Sequence, residues 1–240
     1  MRKICFYFCF LLVAISVFGN DTVRIRETQI PILIDRKDNV LFNLRIDAKE
    51  SNVLNSLTLR FGEEVNLSEI KSVKLYYSGT EGVQRSGQIN YAPVSYISRE
   101  EPGKTREANR SYSILKSEIP APGKMVTLSC EQSLFPGINY FWVSLEMKPA
   151  TSIVSKVTVD VKEVEVDKKS ALVEISKERI IHRMGVGVRH AGDDGVAAYR
   201  IPGLVTSNKG TLLGVYDVRY NNSADLQERV DIGLSRSTDG

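Results

Sequence analysis

Apolar residues recur at every second position over parts of several short segments between residues 23 and 166. A period of two directs alternate side chains to a core and to water, which is the pattern of a β-strand. No segment keeps a helical period for three turns, so the pattern predicts an antiparallel β-sandwich of jelly-roll type. The predicted strands lie at residues 40–46, 57–61, 73–77, 140–146 and 157–161, and turn signals separate them at residues 78–79, 121–123 and 135–137.

A charged run at residues 167–170 carries no core signal, and we place the domain boundary there. The segments beyond it that favour β-structure are residues 186–189, 203–206, 211–217 and 230–237. Asn208, Lys209 and Gly210 predict a hairpin turn between two of them. The sequence therefore predicts an all-β chain with a β-sandwich over residues 21–175 and a second unit over residues 176–240.

The first 20 residues have the three parts of a signal peptide. Arg2 and Lys3 form a cationic start, residues 4–18 are apolar, and Val17 and Gly19 supply the small residues that a signal peptidase reads. The apolar run is shorter than the roughly 20 residues that a bilayer span needs. We therefore expect export to the periplasm or the medium without a membrane span, and a lipoprotein stays open as the alternative.

Composition and charge exclude several classes of protein. The chain has 42% hydrophobic and 25% charged residues, as is ordinary for a globular protein. Loss of the signal peptide reduces the formal charge from +3 to +1, so neither nucleic acid nor a membrane surface is expected as a partner. His182 and His190 have no ligand spacing around them that would suit zinc, so we expect no metal ion and no cofactor. Cys130 is interpreted as a small buried apolar residue.

Two motifs lie in the last quarter of the chain. Residues 199–203 read Tyr-Arg-Ile-Pro-Gly, and residues 237–240 read Ser-Thr-Asp-Gly. In this order and at this distance they resemble the start of the catalytic propeller of sialidases, which are exo-glycosidases that remove terminal sialic acid. The resemblance covers roughly residues 185–240 and implies the first blade of a six-bladed β-propeller in a longer enzyme. In the family Ser237, Asp239 and Gly240 would open the Asp-box, a structural turn remote from the catalytic centre.

The Arg-Ile-Pro motif carries the first candidate site residue. Sialic acid bears a carboxylate on its anomeric carbon, and a guanidinium can form two parallel hydrogen bonds to a carboxylate. By the resemblance, Arg200 is the first of three arginines that bind this carboxylate. A surface arginine in a salt bridge is the alternative. Ile201 and Pro202 would have a structural role, since proline fixes the backbone that holds Arg200.

The second group of candidates follows at residues 216–225. By the resemblance, Arg219 contacts the substrate and Asp225 is the general acid and base. The alternative for Asp225 is an Asx-turn, and Asp217 and Asp231 are rivals for the catalytic role. Sialidases use a tyrosine nucleophile, with a glutamate as its base. In the family both come from later blades, so we assign neither role to a tyrosine of this chain.

The resemblance implies a monomeric, retaining exo-α-sialidase that needs no metal and acts on sialylated glycans, glycoproteins or glycolipids. Two alternatives stay open: a non-catalytic glycan-binding protein with a degenerate propeller, and a propeller glycosidase for another acidic sugar. The front domain resembles the β-sandwich that precedes the propeller in some bacterial sialidases and is carbohydrate-binding-like. There Trp142 would either stack on a sugar or belong to the core, which is the usual place for a lone tryptophan.

Overall fold

The computed structural model of the protein describes residues 21–27, 30–80, 83–85, 88–90, 113–175, 181–224 and 229–238. The predicted signal peptide, Asp225, Asp239 and Gly240 lie outside these residues. Within them the regular structure is strand, apart from two single-turn 3-10 helices, so the all-β prediction is confirmed. The strands are β1 (Thr22–Glu27), β2 (Ile32–Leu33), β3 (Asn39–Ala48), β4 (Val53–Phe61), β5 (Ile70–Gly79), β6 (Val83–Arg85), β7 (Gln88–Asn90), β8 (Ile114–Pro120), β9 (Met125–Ser133), β10 (Gly137–Met147), β11 (Lys156–Val157), β12 (Val159–Val166), β13 (Lys169–Ser170), β14 (Leu172–Ile175), β15 (His182–Gly185), β16 (Ala198–Thr206), β17 (Leu212–Arg219) and β18 (Val230–Ser237).

Two sheets form a β-sandwich. In the described residues the large sheet has six strands, in the order β14-β1-β3-β10-β5-β8, and the small sheet has four, in the order β13-β12-β4-β9. Neighbouring strands are antiparallel, except that β1 and β14 are parallel. Consecutive strands such as β3 and β4 lie in different sheets, as expected for a jelly-roll-like sandwich.

The core lies between the two sheets and follows from the period of two. Phe141, Val143 and Leu145 of β10 are fully buried in it, together with Leu57 and Leu59 of β4. Burial of a side chain of this size contributes about 1.5–3 kcal/mol to folding. On β4 these are the positions that the alternation of apolar residues predicted.

Trp142 lies on the opposite face of β10 from this core. Its side chain is nevertheless fully buried, in a second cluster with Val40 and Tyr76. The indole stacks on the Tyr76 ring with centroids 4.3 Å apart, and Nε1 donates to Ser113 Oγ at 3.0 Å. A ring that is enclosed in this way cannot stack on a sugar, so Trp142 is a packing residue.

A buried polar cluster lies further along the same outer face of the large sheet. Lys74 Nζ is 2.9 Å from Glu146 Oε2 and 3.3 Å from Asp38 Oδ1. The three side chains are between 7% and 13% exposed. Burial opposes ionisation of Glu146, but the hydrogen bonds from Lys71 and Lys74 outweigh it and lower the pKa of Glu146. The cluster fixes Asp38, and with it the segment between β2 and β3.

Replacing Lys74 with methionine is expected to destabilise the sandwich strongly. The change leaves Asp38 without its ammonium partner in a buried site, and breaking a buried pair in this way costs about 3–5 kcal/mol. Lys162→Met is the matched control, because Lys162 and Asp160 form an exposed pair that is worth at most about 1 kcal/mol. Chemical denaturation measures both free energies of unfolding. Equal stability of the two variants would mean that the buried cluster contributes nothing.

The chain remains attached to the sandwich after residue 180. β15 pairs with β2 and β11, and it directs His182 and Met184 inward, where they are 2% and 7% exposed. Val186 and Val188 are 61% and 65% exposed. The strand predicted at residues 186–189 is therefore wrong, since the strand lies four residues earlier.

Gly187 lies under the His190 side chain in this loop. A Cβ at Gly187 would lie 2.1 Å from Cε1 of His190, so a larger residue there would require the imidazole to move. His190 Nε2 lies 2.5 Å from Asp35 Oδ2. Burial alone would raise the pKa of Asp35, but the hydrogen bonds with His190 and with backbone N–H groups together outweigh burial and lower that pKa. Side chains therefore hold this loop against the sandwich, and the domain boundary near residue 170 stays a prediction.

The last three described strands form the C-terminal sheet, in the order β16-β17-β18. Both pairs are antiparallel. The predicted turn joins β16 to β17: Gly210 has a φ of 82°, and Ser207 N donates to the carbonyl of Thr211 at 2.8 Å. Among the described residues no helix is long and apolar enough to cross a bilayer.

Candidate active site

The Arg-Ile-Pro motif forms a bulge within β16. Arg200 pairs with Asp217 of β17, and regular pairing resumes only between Gly203 and Val215. Ile201 has a φ of 52°, which is strained for a β-branched residue, and Pro202 has no N–H to give to the ladder. Bulges of this kind redirect a side chain and are common beside active sites. The motif therefore sets the direction in which Arg200 leaves the sheet.

Arg200, Asp217 and Arg219 share one face of the C-terminal sheet. Arg200 lies directly opposite Asp217, and Arg219 follows Asp217 by two residues on the same strand. Arg219 Nη2 donates to Asp217 Oδ2 at 2.8 Å. The Arg219 side chain is only 4% exposed, whereas that of Asp217 is 28% exposed.

Both arginines bind the loop that follows β17. Arg219 Nη1 donates to the carbonyl oxygens of Ala224, at 2.6 Å, and of Ser223, at 3.3 Å. Arg200 Nη1 donates to the same Ser223 oxygen at 2.7 Å. Two guanidinium groups thus meet at one carbonyl oxygen. Arg200 is the partly exposed member of the pair, so it can meet an anionic ligand from solvent, and the substrate contact of Arg219 stays a prediction.

The described part of this loop, residues 220–224, is mainly polar. Ala224 N donates to Asn222 Oδ1 at 2.6 Å, which makes an Asx-turn at Asn222. Asp225 comes next in the sequence and lies outside the described residues. Its role as general acid and base stays a prediction.

The rival carboxylates are placed differently. Asp231 pairs with Val218, on the opposite face from Arg200, and accepts from the Tyr220 hydroxyl at 2.9 Å. Asp217 lies on the same face as Arg200 but is engaged by Arg219. Of the two rivals, Asp217 is therefore the one beside the arginine pair.

The tyrosines near the motifs also lie on the opposite face. Tyr199 and Tyr216 meet edge to face with their centroids 5.4 Å apart. Tyr216 Oη lies 2.7 Å from Ser235 Oγ and accepts from Arg189 Nε at 2.9 Å. These two hydrogen bonds, with Ser235 first, lower the pKa of Tyr216. The ring is accommodated by Gly233, where a Cβ would lie 2.2 Å from the Tyr216 ring.

Ser237 ends β18 far from the arginine pair. It pairs with Leu212, five residues along β17 from Asp217, which is a distance of about 17 Å at the rise of a strand. Among the described residues no group of three or more His, Cys, Asp or Glu side chains is arranged to hold a metal ion. Cys130 is half-buried, its thiol donates to the Leu54 carbonyl at 3.2 Å, and burial raises its pKa.

A separate cavity of about 550 Å³ lies at the edge of the sandwich. Its lining combines apolar side chains such as Ile34 and Met147 with the charged residues Arg36 and Lys71. Its described lining residues include no aromatic ring on which a sugar would stack. Sugar binding by the sandwich therefore stays a prediction.

The Asp217–Arg219 pair has a signal in the sequence that the motif analysis did not use. Residues two apart on a strand share a face, so an acidic and a basic residue at this spacing predict an ion pair. The contacts to Ser223 and Ala224 have no such signal, because they involve backbone oxygens in an irregular loop.

Known proteins resemble this chain along most of its length. Residues 20–170 match the family described as the N-terminal domain of BNR-repeat neuraminidase. The chain is 65% identical over 234 residues to a protein named Sialidase from Bacteroides fragilis (strain YCH46), covering 97% of this chain and 43% of that protein. It is 35% identical over 72 residues to a protein named Anhydrosialidase from Macrobdella decora, covering 28% of this chain and 9% of that protein.

A solved structure is also similar. The Hadza microbial sialidase Hz136 matches with a TM-score of 0.72 and 51% identity, over 90% of this chain and 42% of that chain. The present chain thus spans less than half the length of these relatives.

Proposed function

Because the chain belongs to the BNR-repeat neuraminidase family, we propose that the whole protein is an exo-α-sialidase that removes terminal sialic acid from glycoproteins, glycolipids and other sialylated glycans. The observation that carries the proposal is the convergence of Arg200 and Arg219 on the Ser223 carbonyl oxygen, two residues before Asp225. A planar cation, with an aspartate two residues further along the sequence from its anchor at Ser223, meets two needs of sialoside hydrolysis. These are an anchor for the substrate carboxylate and a proton for the leaving oxygen.

In the proposed mechanism, Arg200 binds the carboxylate on the anomeric carbon and orients the sugar. Asp225 protonates the glycosidic oxygen as the aglycone leaves, and later removes a proton from the attacking water. A second bare carboxylate as nucleophile would repel the substrate's own, and a tyrosine avoids this repulsion. That tyrosine, its glutamate base and the other two arginines would come from later blades, and the product would keep the anomeric configuration.

The C-terminal sheet would be the first blade of a six-bladed propeller. Its apolar side chains on both faces support this proposal, since Leu204 is 76% exposed and Ile232 is 84% exposed. Blades of a propeller cover each other's faces in this way. Ser237, Asp239 and Gly240 would then open the Asp-box turn at the outer end of the blade. We further propose export through the signal peptide of residues 1–20 and action as a monomer.

The test is incubation of the whole protein with a fluorogenic aryl α-sialoside. We expect free sialic acid, released first as the α-anomer, which proton NMR detects before mutarotation. Binding of the sialoside without release would favour the non-catalytic glycan-binding protein. Hydrolysis of an aryl glycoside of another acidic sugar, with no activity on the sialoside, would favour the third alternative.

A further inference from the structure

We propose that Asp217 is a positioning residue for the arginine that binds the substrate carboxylate. It acts through Arg219, which fixes the Ser223 carbonyl oxygen to which Arg200 is anchored. The inference rests on the proposed function only in taking an anionic sugar as the ligand of Arg200. It assigns no contact between Asp217 and the substrate.

The contacts form a continuous chain from Asp217 to Arg200. The Asp217 carboxylate lies 2.8 Å from Arg219 Nη2, and Arg219 Nη1 reaches the Ser223 and Ala224 carbonyl oxygens at 3.3 and 2.6 Å. Arg200 Nη1 then binds the Ser223 oxygen at 2.7 Å. All four links are hydrogen bonds in which the donor is a guanidinium, and such charge-assisted bonds are among the stronger ones in proteins.

The burial of these groups indicates that Arg219 positions the loop and that the loop positions Arg200. Arg219 is 4% exposed and lies on a regular strand, so its guanidinium has one well-defined position. Ser223 and Ala224 lie in an irregular loop, and their carbonyl oxygens take their positions from Arg219. Arg200 is partly exposed on a long side chain with several rotamers, so an anchor at Ser223 limits its freedom.

Asp217 has the charge that makes this arrangement stable. Arg219 is a nearly buried cation, and the loss of a charge partner from a buried cation is strongly unfavourable. Asparagine at residue 217 keeps the shape of the side chain but provides no compensating negative charge. We expect Arg219 then to leave its position, which would release the two carbonyl oxygens and, with them, Arg200.

The experiment measures how well the whole protein distinguishes a carboxylate from its ester. Calorimetry gives the dissociation constants of the sialic acid glycal, an unsaturated analogue, and of its methyl ester. The ratio of the two constants reports the carboxylate contact and does not depend on turnover. We expect Asp217→Asn to reduce this ratio at least about tenfold, because the loss of one well-placed charge-assisted bond has an effect of this size.

Matched variants separate positioning from loss of structure. Asp231→Asn removes a carboxylate from the opposite face of the same sheet and should leave the ratio unchanged. Arg219→Lys keeps the charge next to Asp217 but cannot hold two carbonyl oxygens in the same geometry, so it should reduce the ratio as Asp217→Asn does. Melting temperatures show whether the Asp217→Asn variant is merely unfolded. If it is, the Arg219→Lys variant tests the inference in its place.

Each outcome decides the inference. The wild type is expected to distinguish the acid from the ester. If Asp217→Asn and Arg219→Lys distinguish them as well as the wild type does, Asp217 has no positioning role. If both variants bind acid and ester more weakly by the same factor, Asp217 is only structural. If the wild type binds neither compound, the proposed function is wrong, and the positioning role is wrong with it.

Discussion

The Arg200→Lys variant of the whole protein is expected to lose sialoside hydrolysis by about a hundredfold or more. Lysine keeps the positive charge but replaces a planar fork with a single ammonium group, so it cannot form two parallel hydrogen bonds to a carboxylate. Each charge-assisted bond that is lost is worth about 1.5–3 kcal/mol, and about 1.4 kcal/mol corresponds to a factor of ten. Lysine also lacks the geometry to keep the 2.7 Å contact to Ser223 while binding substrate.

Arg236→Lys is the matched control for this change. Arg236 is an exposed arginine of β18 in the same sheet, but it pairs with Leu213, away from the arginine pair. The Arg236→Lys variant should retain the kcat/KM of the wild type with the fluorogenic sialoside. Activity of Arg200→Lys within twofold of the wild type would exclude Arg200 from the substrate site.

The strands that carry the sandwich core could be predicted because their side chains alternate. Residues 73–77 lie within β5, where Val73 and Leu75 are buried. Residues 157–161 extend from β11 into β12, where Val157 and Val159 are buried and Val161 is partly buried. Residues 140–146 also predict a strand, but their apolar residues do not alternate clearly. They lie in β10, where every residue from Asn139 to Met147 is buried, so both faces of the strand are covered. The pattern therefore could not decide whether Trp142 faces a sugar or a packed interior.

The loop at residues 186–190 shows where the pattern misleads. Two exposed valines separated by a glycine look like a strand, yet the ladder contains His182 and Met184 instead. His182 is a polar residue that is almost completely buried, and burial lowers its pKa. A hydropathy scale does not predict the burial of His182, because that burial depends on the pairing of β15 with β2 and β11.

Only part of the candidate site has a signal in the sequence. Arg200 is marked by its motif, and the pairing of Asp217 with Arg219 follows from their spacing on one strand. The position of Arg200 opposite Asp217 depends on the register that the bulge at Ile201 and Pro202 imposes. The contact of both arginines with the Ser223 carbonyl depends on loop geometry, which side-chain identity does not encode. The Asp217–Arg219 pair therefore has a signal in the sequence, whereas the contacts of the two arginines with the loop have none.

Substitution of Asp225 is expected to affect natural sialosides far more than activated ones. A natural sialoside loses an alkoxide, which leaves poorly unless an acid protonates it, and general acid catalysis contributes about a hundredfold to ten-thousandfold. Asp225→Ala and Asp225→Asn should lose activity of this order on a natural sialyl disaccharide. On an aryl sialoside with an acidic phenol the loss should be much smaller, because that group departs without a proton.

The contrast between the two substrates distinguishes acid catalysis from misfolding. Asp231→Asn is the matched control, since Asp231 binds the Tyr220 hydroxyl on the face away from the arginine pair. Any loss in this variant should be equal on both substrates. Asp217→Asn should likewise lose activity equally on both, because its proposed effect is on carboxylate binding, which the two substrates share. If the contrast is absent for Asp225 and present for Asp217 or Asp231, that residue is the general acid. The loop after Arg219 would then serve only to hold Arg200.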